Sequence, residues 1–403
     1  MNILFLTIVG IESIEPHSLY TDLLREFRNK GHNIYVVSPR ERRTGLGTKV
    51  IEEKSAKLLC VKVGNLTKCG IIEKGISTLM IEKNFKVAIK KYFFDVKFDL
   101  IIYSTPPITF SGIIEYIKKR DNAKTYLLLK DIFPQNAVDL GMLSKVGIKS
   151  ILYKYFRNKE KKLYAISDKI GCMSQANVNY ILKNNPEIDS CTVEICPNCI
   201  EVMDMSISAE ERKKIRLKYK IPQDKIIFVY GGNLGKPQGI SFLIKCLESQ
   251  KNNQDTFFLI VGDGTEYKRL EKFIKISKQS NVKLMNKLPK EDYDRMIGSC
   301  DIGMIFLDYR FTIPNFPSRL LSYMQAKLPV LACTDKSSDI GEIIVEGKFG
   351  WWCESNDVKR FSKLVEEITL SDCDQMKKNE MKYLVDNYSV EIIYEKICKL
   401  VSI

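Results

Sequence analysis

Ile226-Ile-Phe-Val-Tyr-Gly-Gly-Asn-Leu-Gly-Lys-Pro-Gln-Gly239 is an apolar run of strand type that opens into a glycine-rich turn, and a helical pattern continues from it to Glu248. Strand, glycine turn and helix in that order begin a βαβ unit. The unit recurs downstream. Phe257–Val261 reads as a strand closed by Gly262-Asp-Gly264, a charged helix is expected over Tyr267–Lys278, and Val282–Met285, Ile302–Leu307 and Val330–Ala332 extend the sheet. Toward the N-terminus the same alternation starts at Asn2–Ile8, passes through a helical stripe of Leu19, Leu23, Leu24 and Phe27, and returns to a strand at Ile34–Val37. A polar, Met-rich stretch from Cys196-Pro-Asn198 to Pro222 interrupts it. The pattern predicts an α/β chain of two doubly wound, Rossmann-like domains separated near residue 200. Ligands of such sheets bind beyond the carboxyl ends of the strands.

Length and composition agree with that division. The 403 residues suit two domains of roughly 150–200 residues each, and 45% hydrophobic with 28% charged residues excludes a disordered chain. No stretch reaches the ~20 apolar residues that span a bilayer. Met1–Gly10 is apolar but lacks a basic flank, so it reads as a first strand and not as a signal peptide. Twelve cysteines scattered from Cys60 to Cys398 read as reduced thiols. Cys191, Cys196 and Cys199 cluster in sequence without the fourth ligand that structural zinc requires. With His17 and His32 the only histidines, little His-based chemistry is available. The net charge of +14 is one-sided: residues 1–200 hold 31 basic and 20 acidic side chains, residues 201–403 hold 32 and 29. An anionic partner is expected for the first half.

Three places carry candidate chemistry. The turn Gly231–Gly239 lets backbone N–H groups and Lys236 approach an anion, although a packing turn would use the same glycines. Ser318 and Arg319 stand where a loop becomes a helix, so helix N–H groups and a guanidinium would converge on one phosphate-sized site; a capped helix with a surface arginine is the plainer alternative. Asp131 directly follows the expected strand Thr125–Leu129 and is the candidate carboxylate, or else the cap of the next turn.

With these motifs on the page the chain resembles the GT-B nucleotide-sugar-dependent glycosyltransferases, family 4, in the branch that builds bacterial capsular polysaccharide and O-antigen repeat units. The resemblance rests on Gly232-Asn-Leu-Gly-Lys-Pro-Gln-Gly239, Val261-Gly-Asp-Gly-Thr-Glu266 with Leu270, Asp301-Ile-Gly303 and Pro317-Ser-Arg-Leu-Leu-Ser-Tyr-Met-Gln-Ala-Lys-Leu-Pro-Val330. In the first half it rests on Lys130-Asp-Ile-Phe-Pro-Gln-Asn-Ala-Val-Asp-Leu-Gly-Met-Leu143, Ser174 and Pro197-Asn198. It implies two domains facing across a cleft, the acceptor on residues 1–200, the nucleotide sugar on 201–385, and a terminal helix, 386–403, packed back on the first domain. The implied donor-binding residues are Gly232, Asn233, Gly262, Gly264, Leu288, Ser318, Leu320 and Ser322, with Asp308 and Arg310 near the donor sugar. Asp131, Lys236 and Arg319 would serve catalysis. The implied reaction is hexosyl transfer with retention from a UDP-linked, N-acetylated or deoxy hexose, with no metal and no cofactor beyond the nucleotide sugar. Two departures stand out. The family's paired glutamates, eight positions apart, are here Pro314 and Ser322, and Gln238 replaces a common phosphate-binding lysine.

The resemblance also implies an undecaprenyl-diphosphate-linked acceptor, an acidic membrane surface and other polysaccharide-assembly enzymes as partners. The expected location is cytoplasmic and peripheral, on the inner face of the cytoplasmic membrane. Nucleic acid is not expected, since no binding module is visible. Lys83, Lys86, Lys90 and Lys91 alternate with Phe85, Tyr92, Phe93 and Phe94, and Lys154, Arg157, Lys159, Lys161 and Lys162 with Tyr153, Tyr155 and Phe156. Each segment reads as an interfacial helix on acidic lipid or as an ordinary amphipathic helix with its aromatics in the core. Two other functions fit the fold: a non-catalytic subunit that activates a partner, motivated by the missing glutamates, and a nucleotide-sugar epimerase.

Overall fold

In the computed structural model, which describes residues 1–67 and 69–401, the chain divides into one unit of Met1–Glu201 with Ser389–Ile403 and another of Val202–Tyr388. The first unit holds β1 (Asn2–Leu6), β2 (Asn33–Glu41), β3 (Lys49–Glu53), β4 (Ala56–Val63), β5 (Leu100–Ser104), β6 (Lys124–Leu129), β7 (Lys169–Cys172) and β8 (Val193–Ile195). They form one sheet in the order β3-β4-β2-β1-β5-β6-β7-β8, parallel except for β3, which pairs antiparallel with β4. Helices cover both faces of this sheet, so its central strands are apolar on both sides. Ile3, Leu4, Phe5 and Leu6 are all buried, as are Leu100 to Tyr103. Ser18 starts the helix Leu19–Asn29, its hydroxyl accepting from Thr21 N, a cap of about 1 kcal/mol.

The chain returns to this unit at Ser389, where a single parallel bridge joins Ile200. Of the expected terminal helix 386–403, residues 386–388 end the helix Asp374–Tyr388 of the other unit, and the helix Val390–Cys398 belongs to this one. Val390, Ile393 and Ile397 enter the first core beside Phe27, and Tyr394 Oη lies 3.0 Å from His32 Nε2. Residues 402 and 403 of the expected helix lie outside the described residues.

The second unit holds β9 (Ile226–Asn233), β10 (Thr256–Asp263), β11 (Val282–Met285), β12 (Ile302–Phe306), β13 (Val330–Thr334) and β14 (Gly350–Glu354), all parallel, in the order β11-β10-β9-β12-β13-β14. Phe228, Tyr230, Phe258, Phe306 and Phe361 form the middle of its core.

Among the buried polar residues of that unit, Glu380 is a carboxyl with no partner for either oxygen among the described residues. It shares a stripe of the helix Asp374–Tyr388 with Leu384 and Tyr388 and is fully buried. Burial pushes this carboxyl well above the ordinary range, so the folded chain holds it as the acid. The unfolded chain ionises at the ordinary, lower pH. Stability is therefore fully present at low pH and falls as pH rises toward the raised value, by up to ~1.4 kcal/mol per pH unit. Urea unfolding followed by the fluorescence of Trp351 and Trp352, both in β14 of this unit, should show that loss between pH 5 and 8. Glu380→Met should flatten the dependence and raise stability at pH 8; a variant with an unchanged slope would clear Glu380 of it.

Candidate functional site

The turns after β9 and β10 are built against each other. Gly232 lies opposite Gly262 and Asn233 opposite Asp263 in the strand register. Leu234 N donates to Asp263 O at 2.7 Å, and Glu266 N donates to Leu234 O at 2.9 Å. A Cβ on Gly262 would stand 1.8 Å from the Gly232 carbonyl oxygen, so no side chain fits there. Gly232 and Gly264 have φ of 126° and 155°, a region that favours glycine. Gln238 closes the first turn, its Oε1 accepting from Asn233 Nδ2 at 3.1 Å and Gly235 N at 3.2 Å. At the position where a lysine was the family expectation, Gln238 is a strut within the turn. Lys236 is exposed and forms no ion pair among the described residues.

Arg319 opens the short helix Arg319–Gln325 and stacks its guanidinium 4.3 Å from the centre of the Tyr230 ring. A Cβ on Gly232 would lie 3.6 Å from the same guanidinium, which places Arg319 against the glycine turn. Its Nη1 is buried without a hydrogen-bond partner, and no carboxylate pairs with it among the described residues. A guanidinium desolvated in this way and lacking a counter-ion attracts an anion, which its planar fork can grip through two bonds.

Tyrosines hold the strand ends beneath it. Tyr323 Oη accepts from Gly231 N at 3.1 Å and lies 3.2 and 3.1 Å from the carbonyl oxygens of Val229 and Met304. Its ring occupies the space that a Cβ on Gly303 would need, and Tyr293 Oη does the same beside Gly231. The sequence reading missed Tyr230, Tyr293 and Tyr323. The signal was there in Gly231 and Gly303, whose missing side chains make the room.

The other expected donor residues differ in place. Leu320 is fully buried, while Ser322 and Leu288 are half-buried. Ser318 is exposed and its hydroxyl makes no cap bond, because its φ and ψ of −62° and −19° are already helical. Pro314 is buried. Asp308 and Arg310 grip each other in a two-bond ion pair of 2.8 and 2.8 Å, so their charges are mutually satisfied. The Asp308 backbone N–H also donates to Pro237 O at 2.9 Å, bracing the far side of the glycine turn.

Asp131 lies in the first unit, just past β6. Both of its carboxylate oxygens are 2.8 Å from Asn136 Nδ2. Thr105 Oγ1 accepts from the backbone N–H groups of Lys130 and Asp131 at 3.0 and 3.2 Å. Burial pushes the Asp131 carboxyl up to about 6 against the opposing pull of the Asn136 bonds. It does not cap the helix Gln135–Asp139, whose cap position is Pro134. Ser174 follows β7 and Asn198 follows β8, both buried, so all three stand at the carboxyl edge of this sheet. Burial also lowers the neighbouring Lys130 ammonium. Sequence reasoning gave no role to Thr105, which lies outside the quoted motifs, or to Asn136, which stands within the segment Lys130–Leu143.

One group of possible metal ligands converges among the described residues: His17, Asp22 and Glu201. The Arg25 guanidinium already fills it, 2.7 Å from Asp22, 2.9 Å from Glu201 and 2.8 Å from His17 Nδ1, making it an ion-pair cluster.

Residues 211–383 match the family model described as glycosyl transferases group 1. A probable glycosyltransferase of Pseudomonas aeruginosa, WbjE, is 24% identical over 344 residues, 85% of this chain and 83% of the relative. Among solved structures, sucrose-phosphate synthase from Thermosynechococcus elongatus superposes with a TM-score of 0.76 at 13% identity, covering 99% of this chain and 98% of that one. Anabaena HepE, solved with UDP and glucose, gives 0.71 at 16% identity over 100% and 99%. The likeness shows the fold: two Rossmann-like sheets of the GT-B architecture. At low identity the chain is related to a bacterial glycosyltransferase.

The glycine contacts predict opposite outcomes at two positions. Gly262→Ala should cost at least about 3 kcal/mol, because the clash is with backbone and not with a movable side chain. Gly75→Ala, inside the helix Ile71–Tyr92 with open space around it, should gain about 0.5–1 kcal/mol. Thermal melts of the two variants check this, and equal melting points would refute the close-approach account.

Proposed function

We propose that the chain is a glycosyltransferase that moves a hexosyl group from a UDP-sugar to a lipid-diphosphate-linked glycan in the synthesis of a bacterial surface polysaccharide. The observation that carries this reading is Arg319: a half-buried guanidinium stacked on Tyr230, its Nη1 buried and unpartnered, beside the glycine turn of a unit whose residues 211–383 match a glycosyltransferase family model. The choice of uridine follows the ligand bound by HepE. The second unit then serves the donor and the first the acceptor.

In this mechanism the bond from the anomeric carbon to the diphosphate oxygen breaks with its electron pair passing to the diphosphate. Arg319 and Lys236 stabilise the negative charge that develops there. Arg319 is already desolvated and oriented by Tyr230, so little reorganisation accompanies the step. The acceptor hydroxyl oxygen forms the new bond, and in the retaining course its proton passes to the departing phosphate. Asp131 is the acceptor-side carboxylate, ionised above about pH 6 and held by Asn136. Ser322 offers the ribose one neutral hydrogen bond where a glutamate would offer a charged one, a weakening of about 1–2 kcal/mol. No helix among the described residues is long and apolar enough to cross a membrane, so membrane contact in this reading is peripheral.

A thermal-shift panel of nucleotides and a turnover assay test the reading together. UDP or a UDP-sugar at 100 times its dissociation constant should add ~2.7 kcal/mol of stability. Arg319→Ala should abolish that shift, and Arg319→Lys, which keeps the charge and loses the fork, should abolish most of it. Asp131→Asn should leave the shift intact and remove turnover, and wild-type turnover should fall as pH drops below about 6, where Asp131 takes up its proton. Silence across UDP, GDP, dTDP and CMP compounds would sink the donor site. Turnover that appears only when a partner enzyme is added would favour the non-catalytic subunit instead, the reading that Pro314 and Ser322 support.

A further inference from the structure

Between Leu140 and Lys159 the chain has five cations and no aspartate or glutamate. The segment is the loop that follows the helix Gln135–Asp139 and the first half of the helix Lys149–Ile166. It also exposes aliphatic side chains: Val146, Ile148 and Ile151 are 77%, 90% and 72% open, and Met142, Leu152 and Tyr155 are exposed beside them. The helix does not depend on these groups for its seat. Leu163 and Tyr164 are buried, and Phe156 packs on Phe133 at 5.0 Å between ring centres. Lys145, Lys149 and Lys154 are exposed and pair with no carboxylate among the described residues.

We propose that this plate, Met142 to Tyr155, is the surface by which the protein lies on an anionic lipid bilayer. Its aliphatic tips enter the boundary of the acyl chains while Lys145, Lys149 and Lys154 meet headgroup phosphates. The charge pattern selects this occupant. In a symmetric contact between two copies the same patch faces itself, and three lysines would oppose three lysines with no acid between them. A nucleic acid would use the cations and leave Ile148 and Ile151 in water. The other lysine-and-aromatic segment is part of the fold: Phe85 and Phe93 are buried, and Lys86 and Lys90 lie 4.9 and 4.7 Å from the centre of the Tyr116 ring. The proposal rests on the functional reading only in that a lipid-linked acceptor is membrane-borne.

The test is flotation of the full chain with vesicles of phosphatidylcholine alone or mixed equally with phosphatidylglycerol. Binding is expected to the anionic vesicles, about 10-fold or more weaker to the neutral ones, and weakened by 0.5 M salt. Ile148→Asp with Ile151→Asp, and separately Lys145→Gln with Lys149→Gln and Lys154→Gln, should each lower anionic binding about 10-fold or more. All five side chains are exposed, so circular dichroism melts should match the wild type. Anionic binding that is absent, or unchanged in both variants, overturns the proposal. So does a wild-type dimer in light scattering that the isoleucine variant converts to a monomer. Vesicle binding without a UDP shift would overturn the functional reading and leave the docking surface standing; a UDP shift without vesicle binding would do the reverse.

Discussion

The close approach of two backbone turns at the carboxyl edge of the second sheet is the constraint on which the candidate site depends. Gly232 and Gly262 face each other at a distance that no Cβ tolerates, and the hydrogen bonds from Leu234 and Glu266 fasten one turn to the other. With the turn drawn down, Arg319 lies beside Gly232 and over Tyr230 without a side chain between them. The tyrosines at 293 and 323 occupy the gaps left by Gly231 and Gly303. Replacing either glycine by a larger residue would push a tyrosine outward and move the strand ends that carry the turn. Glycine and aromatic positions are thus one packing problem, and the placement of the guanidinium is its outcome.

Charge is arranged by cancellation around that point. Asp308 pairs with Arg310 through two bonds, and Asp301 binds both Arg212 and Arg216. In the first unit Arg25 neutralises Asp22 and Glu201. These buried and half-buried charges come with partners, as desolvation requires. Arg319 and Glu380 depart from this rule in opposite ways. Glu380 is neutralised by its proton, since burial raises a carboxyl until the acid is the stable form. An arginine has no such escape, because its guanidinium stays protonated at any pH the fold survives. The charge of Arg319 is therefore held beside the glycine turn with its Nη1 buried and without a partner.

Much of the fold was legible because parallel strands covered on both faces must be apolar throughout, and runs such as Ile226–Tyr230 and Phe257–Val261 are. What escaped lies at sheet edges. β3 carries lysine and two glutamates, β8 has three residues, and β14 begins at a glycine with half-exposed tryptophans, so none shows the continuous apolar signature. The site was legible where backbone geometry dictates residue type, at Gly232, Gly262 and Gly264, and at the loop-to-helix arginine. It was not legible where the role is a contact between distant segments. Asn136 holding Asp131 and the mutual pairing of Asp308 with Arg310 depend on side-chain directions that no spacing rule encodes. The aromatic-and-lysine segments show the same limit: Phe85 faces the core and Tyr155 faces solvent, although both sit among lysines in the sequence.

The substitution of Ser322 for a glutamate bears on Arg319 as well as on a ribose. Positions 319 and 322 are three apart on one helix, where side chains of opposite charge reach one another. A glutamate at 322 would be a counter-ion in competition with any incoming phosphate. Serine places no counter-ion beside the guanidinium on its own helix, and in the proposed mechanism the stronger field at the diphosphate offsets the weaker bond to the ribose. Gln238 follows the same logic from the other direction. It serves as a strut and brings no cation to the turn, so in the proposed mechanism the electrostatic role falls to exposed Lys236 and half-buried Arg319. Arg319, with its Nη1 buried, feels the lower dielectric of the two and in that mechanism contributes more per charge than Lys236.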